Sequence, residues 1–268
     1  MIAHSDTQAA TLSNPELILT NAASTKTPLP PTEPRIVLVP PPAVHPAVRV
    51  PASWYVRGKI IFDIVVALVL FILSLPVMLV TALLLKLTSR GPVLYSQIRL
   101  GLNGRPFTIY KIRTMVHNCE KSSGACWSPP SDPRVTPLGC ILRATHLDEL
   151  PQLWNILRGD MSLVGPRPER PEFVPALERA IPNYRGRLLV RPGITGLAQV
   201  QLPPDSDIPG VRRKVAHDLY YIRHFSWWLD LRILACTVLH LSGIPCHKLC
   251  RAFLTTAREA LPDEGASC

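Results

Sequence analysis

Apolar positions are spread unevenly along this chain. Between Ile64 and Leu85 the sequence reads IVVALVLFILSLPVMLVTALLL, twenty-two residues without a charge. That is long enough for a helix to cross a hydrocarbon core. Its uniform apolarity disfavours the core helix of a soluble domain, which keeps a polar face. Pro76 lies mid-segment, where a proline removes a backbone hydrogen bond and bends the helix. Ser74, just before it, can satisfy a carbonyl freed by the bend. Arg57 and Lys59 precede the segment, and Lys86, Arg90, Arg99 and Arg105 follow it. Basic residues favour the cytoplasmic side, and here both flanks are basic. The pattern predicts a re-entrant helical hairpin over residues 54–90, monotopic rather than spanning; a straight span is the competing expectation.

Other segments read more conventionally. Residues 1–53 are rich in Ser, Thr, Ala and Pro, with Pro40, Pro41 and Pro42 in a row, and are expected to form a disordered, proline-rich tail. Short strands are predicted at Val93–Gln97 and Phe107–Ile112, joined by a turn at Gly101–Asn103–Gly104. A polar loop with Pro129, Pro130 and Pro133 covers 116–135. Helices are predicted at Asp148–Leu157, stopped before Gly159, and at Glu172–Ala180, Val211–Arg223 and Trp227–Leu239. The Trp227–Leu239 stretch suits a helix resting at a membrane interface, or equally a core helix. The fold class is α+β: a small, mainly helical domain with a β-hairpin over 91–245, and a C-terminal tail over 246–268.

The formal charge of +10 calls for a polyanionic partner. No basic stripe interleaved with aromatics and no zinc-finger or helix-turn-helix spacing stands out, so nucleic acid is not the expected partner. With an apolar segment present, an anionic phospholipid membrane is. Seven cysteines at irregular spacing, with no cleavable signal peptide, do not read as a disulfide framework. Cys246 and Cys250 flank His247 without a second ligand pair, which argues against a zinc site.

Candidate chemistry concentrates in RATHLDELPQLWNILRGDMSLVGPRPER, Arg143 to Arg170. Asp148 and Glu149 are adjacent carboxylates at a predicted helix start, where Pro151 is tolerated. Free N–H groups and partial positive charge at such a start keep a carboxylate ionised and can hold a phosphate. An ionised aspartate can attack phosphorus. For an arbitrary Asp-Glu pair, helix capping is the ordinary explanation. Arg143, Arg158 and Arg167 change the balance, because their guanidinium forks suit phosphate oxygens. Gly165–Pro166–Arg167–Pro168 makes a stiff turn fixing the direction of Arg167. Arg191–Pro192–Gly193, with Thr195–Gly196, makes a second.

These stretches resemble the bacterial sugar transferase family, the monotopic polyprenyl-phosphate phosphoglycosyl transferases. The resemblance runs from Lys59 to about Leu239. It is carried by Ile61–Asp63, Gly91–Gln97, Tyr110–Met115, Asp132–Thr136, Leu147–Glu169, Arg191–Val200 and Asp218–Ile222, in the family's order. It implies transfer of a sugar 1-phosphate from a UDP-sugar to polyprenyl (undecaprenyl) phosphate at the cytoplasmic face of the bacterial inner membrane. UMP is released, and lipid-linked glycan or exopolysaccharide synthesis begins. Asp148 matches the nucleophile and Glu149 its partner, the two expected to hold Mg²⁺. Arg143, Pro166, Arg167, Pro168 and Arg191 match substrate-binding positions, and Asp230 a supporting acidic one. Where the family commonly carries a short run with an arginine after Val200, this chain has Gln201–Leu202–Pro203–Pro204–Asp205, and Arg212 or Arg213 are the candidates to replace that cation. The donor sugar, the final polymer and the oligomeric state, a homodimer included, stay open. The competing function is an inactive membrane scaffold of a glycan assembly complex.

Overall fold

A computed structural model of the chain describes residues 53–119, 132–203 and 207–242. The expected tail up to residue 52, most of the polar loop, Pro204 and Asp205 of the altered loop, and the Cys246–His247–Cys250 group lie outside the described residues.

The apolar segment forms one helix, α1 (Ser53–Thr88), with Pro76 inside it. Its central window has a mean hydropathy of 2.9 and is only 17% buried. The buried positions follow a helical repeat. Lys59, Asp63, Ala67, Ser74, Thr81 and Leu85 are buried, and Phe71 and Met78 are partly so. Spacings of three and four put all eight on one stripe. The other faces leave Val65, Ile72, Leu73, Leu79, Val80 and Leu83 more than half exposed. Ser74 Oγ donates to the Phe71 carbonyl at 2.9 Å and Thr81 Oγ1 to the Val77 carbonyl at 2.8 Å. Pro76 frees the Ile72 carbonyl, four residues back, so neither bond replaces the one it removes. Both side chains bond back to carbonyls of their own turn, and the expected capture of the freed carbonyl by Ser74 is not seen among the described residues.

The domain beside α1 starts with an antiparallel hairpin, β1 (Leu94–Leu100) and β2 (Pro106–Ile112). Its turn places Asn103 and Gly104 at positive φ, as the turn residues in the sequence predicted. Helix α2 (Pro137–Ala144) begins on the Thr136 side chain, which accepts from the Gly139 N–H at 3.0 Å. Then come α3 (Gln152–Leu157), β3 (Ser162–Val164), α4 (Val174–Ala180), β4 (Gly193–Thr195), α5 (Leu197–Gln201), α6 (Ile208–Arg223) and α7 (Trp227–Leu241). Asp207 caps α6 and Ser226 caps α7 through side-chain oxygens. The short strands β3 and β4 pair in parallel. The fold is thus a mixture of helix and sheet, with one long apolar helix. The predicted β-hairpin and the helices now numbered α4, α6 and α7 agree with the observed elements to within about three residues.

Two core clusters meet α1. The larger gathers Ala67, Ile109, Ile156, Val164, Tyr221 and Ile233 from α1, β2, α3, β3, α6 and α7. A smaller one joins Leu85, near the end of α1, to Ile112 and Leu142. Both ends of the long helix therefore pack on the same domain. Near its start, Asp230 of α7 accepts from Tyr55 Oη (2.8 Å), Lys59 Nζ (2.8 Å) and Tyr221 Oη (2.7 Å). Asp63 accepts from Ser162 Oγ at 2.5 Å. These buried bonds tie α1 to α6, α7 and β3.

Candidate active site

The predicted helix over Asp148–Leu157 is corrected by the structure. Residues Leu147–Glu149 form a tight 3-10 turn, and α3 starts only at Gln152. Pro151 supplies the reason: it has no N–H to donate, so the chain turns on i→i+3 bonds. These run from Glu149 N to His146 O, from Leu153 N to Leu150 O and from Trp154 N to Pro151 O. His146 enters the turn in the left-handed region, φ 56°, an uncommon conformation for a residue with a Cβ. Asp148 and Glu149 are therefore not at the N-terminus of a regular helix. Their electrostatic environment is set by side chains.

Both carboxylates are buried, 8% and 9% exposed, yet they differ in their partners. Glu149 Oε1 accepts from Lys111 Nζ at 2.7 Å and from Arg167 Nη2 at 2.5 Å, and Oε2 lies 3.4 Å from Arg167 Nη1. Burial alone would raise the Glu149 carboxyl, but the charges and hydrogen bonds of Arg167 and Lys111 overturn that and hold it far below the usual range. Asp148 carries no side-chain hydrogen bond among the described residues. Burial raises its carboxyl, with the Glu149 charge adding to the rise, while Lys111, Arg143 and Arg167 offset it. Two neighbouring carboxylates are thus driven apart: one locked as a charge, the other unpartnered and more basic.

Each cation arrives on its own element. Lys111 lies on β2, and burial lowers its ammonium group despite Glu149. The hairpin is fixed against α3 by Asn155, which is fully buried. Its Nδ2 donates to the Thr108 carbonyl (2.7 Å), and its Oδ1 accepts from the Tyr110 N–H (3.2 Å). Arg143, in the last turn of α2, donates from Nε to Thr114 Oγ1 at 2.9 Å. Arg167 follows β3 in the Gly165–Pro168 turn. The Pro166, Arg167 and Pro168 carbonyls accept, in order, from Gly193 N (3.0 Å), Arg187 Nη2 (2.9 Å) and Arg99 Nη1 (3.1 Å). Arg187 is held in turn by a buried ion pair with Asp218 at 2.7 Å. Gly165 and Gly193 allow the two turns to touch: a Cβ on Gly165 would lie 2.5 Å from the Arg191 carbonyl, and one on Gly193 2.1 Å from Gly165 N.

The structure thus brings Asp148, Glu149, Arg143 and Arg167 together, with Pro166 and Pro168 shaping the turn. It does not bring in every expected residue. The Arg191 guanidinium lies by Gly159, beyond the far end of α3, although its carbonyl packs on Gly165. Arg158 pairs with Asp160 at that same end, at 3.4 Å. Asp230 sits in the α1 anchor with both oxygens engaged. Arg212 donates to the Ala180 carbonyl at the end of α4. Lys111, Asn155 and Arg187 carried no role in the sequence reading, and Arg99 only that of a basic flank. For Lys111 and Asn155 the signal was available, because they fall in the Tyr110–Met115 and Leu147–Glu169 stretches; the roles of Arg99 and Arg187 emerge only from contacts.

For a divalent ion the donor set is sparse. No group of three His, Cys, Asp or Glu is assembled among the described residues. Asp148 offers free oxygens, and Glu149 Oε2 is held only by its 3.4 Å contact. That suits Mg²⁺, which takes one or two carboxylates and completes its shell with phosphate oxygens and water. It does not suit an all-protein cage.

The family model for bacterial sugar transferases matches residues 54–243. The chain belongs to the bacterial sugar transferase family. One member, the UDP-N-acetylgalactosamine-undecaprenyl-phosphate N-acetylgalactosaminephosphotransferase of Aeromonas hydrophila, is 46% identical over 188 residues, 70% of this chain and 44% of its own length. The UDP-glucose:undecaprenyl-phosphate glucose-1-phosphate transferase of Caulobacter vibrioides is 46% identical over 182 residues, 67% of this chain and 68% of that one. The exopolysaccharide production protein PSS of Rhizobium leguminosarum bv. phaseoli is 43% identical over 182 residues, 66% of this chain and 91% of that protein. The chain therefore spans less than half of the Aeromonas protein.

Proposed function

We propose that this protein transfers a sugar 1-phosphate from a UDP-sugar to undecaprenyl phosphate through a covalent intermediate on Asp148. The observation that carries the reading is the asymmetry of the pair: Glu149 clamped by Lys111 and Arg167, Asp148 beside it with no hydrogen-bond partner among the described residues. An Asp148 oxygen attacks the β-phosphorus, the bond from that phosphorus to the bridging oxygen breaks, and UMP leaves with the electron pair. An oxygen of undecaprenyl phosphate then attacks the same phosphorus and the carboxylate departs, giving the diphosphate-linked sugar. Arg143 and Arg167 are positioned to bind phosphate oxygens, and Glu149 holds Lys111 and Arg167 at the site. Mg²⁺, when held by Asp148 and Glu149, would offset charge on the diphosphate. The relatives' names differ in the sugar, N-acetylgalactosamine in one and glucose in another, so the donor is left as a UDP-sugar. An inactive scaffold has no use for this arrangement and is not favoured. Asp148→Asn should abolish the sugar-phosphoryl adduct seen by intact-protein mass spectrometry after mixing with UDP-sugar. An adduct that survives the substitution would falsify the assignment.

We also propose that α1 enters and leaves the cytoplasmic leaflet of the inner membrane on one side. A straight span would carry its two ends to opposite faces, whereas Lys59 and Leu85 both pack on the one domain. Its exposed faces are apolar along its length, as lipid contact requires. Trp54→Cys, in a background without the native cysteines, should stay unlabelled by an impermeant maleimide in intact spheroplasts and react after lysis. Labelling before lysis would mean that the chain crosses.

A further inference from the structure

Away from the carboxylate pair, a cavity of about 160 Å³ opens at the N-terminal end of α7. Its walls include Tyr220, His224, Ser226, Trp228, Leu229 and Arg232, and no acidic residue among the described residues. Arg232 is stacked on the Trp228 ring, 4.9 Å from guanidinium to centroid. Its Nε is closed off and has no hydrogen-bond partner among the described residues, while the side chain as a whole is partly exposed, so its terminal nitrogens are the donors a ligand in the cavity can reach. Beside it, the imidazole of His224 stacks on Tyr220 at 4.0 Å.

The surroundings define the ligand. On α7, Trp228, Leu231, Val238 and Leu241 are exposed on neighbouring turns, a stripe of apolar side chains open to the outside. The adjacent Trp227 packs on Tyr55 (5.3 Å) and Phe62 (5.5 Å) of α1. The cavity thus lies beside the first turns of α1, near where its lipid-facing residues begin at Ile61. A cation and a tryptophan at that level are the usual furniture of a membrane interface. The site is not the catalytic one. His240, at the other end of α7, meets His146 next to the carboxylate turn. Twelve residues of helix separate it from Trp228, about 18 Å.

We propose that this cavity binds the phosphate of an anionic phospholipid, with Arg232 donating to its oxygens and the acyl chains lying along the apolar stripe of α7. The inference rests on the membrane placement of α1 proposed above. The test uses the full chain in nanodiscs of phosphatidylcholine with a minor share of phosphatidylglycerol, followed by native mass spectrometry of lipid retained on the protein. Wild type should keep phosphatidylglycerol in preference to phosphatidylcholine. Arg232→Gln should lose that preference by about tenfold or more, as expected for removal of a charge-assisted bond. Arg232→Lys, which keeps the charge without the guanidinium fork, should fall between. Arg179→Gln, an equal loss of charge on exposed α4, should behave as wild type. Equal retention by Arg232→Gln and wild type overturns the site. Displacement of the lipid by inorganic phosphate at millimolar concentration overturns the lipid as the source and makes it a free-phosphate site. Wild type that does not enter nanodiscs at all sinks the membrane placement, and this proposal with it.

Discussion

Asn155 offers the sharpest test of how the site is held. Its carboxamide makes the two hydrogen bonds that a third strand would make to the outer edge of β2, accepting from Tyr110 and donating to Thr108. Asn155→Leu keeps a similar volume in a fully buried position but orphans one backbone N–H and one carbonyl. Each buried orphan costs about 1–3 kcal/mol. The Thr108 bond, at 2.7 Å, belongs near the upper end, and the Tyr110 bond, at 3.2 Å, near the lower. After allowing about 1 kcal/mol for the added apolar burial, the net loss is about 2–3 kcal/mol. Lys111 is the next residue along β2, so its grip on Glu149 should loosen as well. Hydrogen exchange of the Tyr110 amide should speed up by roughly 30- to 160-fold, with UMP release falling in the same variant. A Tyr110 amide as protected as in wild type, in a variant equally stable to denaturant, would refute the account of Asn155 as a surrogate strand.

Two further substitutions probe the cations and the turns. Lys111→Met leaves Glu149 with Arg167 alone and removes a positive charge from beside Asp148; initial rates of UMP release should drop by about ten- to a hundredfold, with partial recovery in Lys111→Arg. Gly165→Ala drives a methyl to within 2.5 Å of the Arg191 carbonyl, so the β3–β4 contact must open. Thermal unfolding should reveal a loss of about 2 kcal/mol or more, and wild-type stability would mean that the two turns are not in contact.

Much of this molecule was legible along the chain because its signals are local. The twenty-two uncharged residues and the Asn-Gly turn of the hairpin each act through neighbours in sequence. The ordered motifs from Gly91 to Ile222 carried the family and the Asp148–Glu149 pair. What the sequence could not determine was which of several charged residues meet. Arg167 and Arg191 both belong to stiff turns, yet one reaches Glu149 and the other Gly159, since that choice depends on how β3 and β4 pair. Asp230 read as part of the chemistry, but folding buries it against Tyr55, Lys59 and Tyr221. Asp148 and Glu149 are adjacent in sequence, and only tertiary contacts make them unlike. Lys111, from a strand 38 residues away, bonds to one and leaves the other without a partner among the described residues. Charge pairing in a buried site is decided by distances of a few ångströms between segments remote in the chain, where Coulomb energies are steep, and no pattern of neighbouring residues encodes those distances.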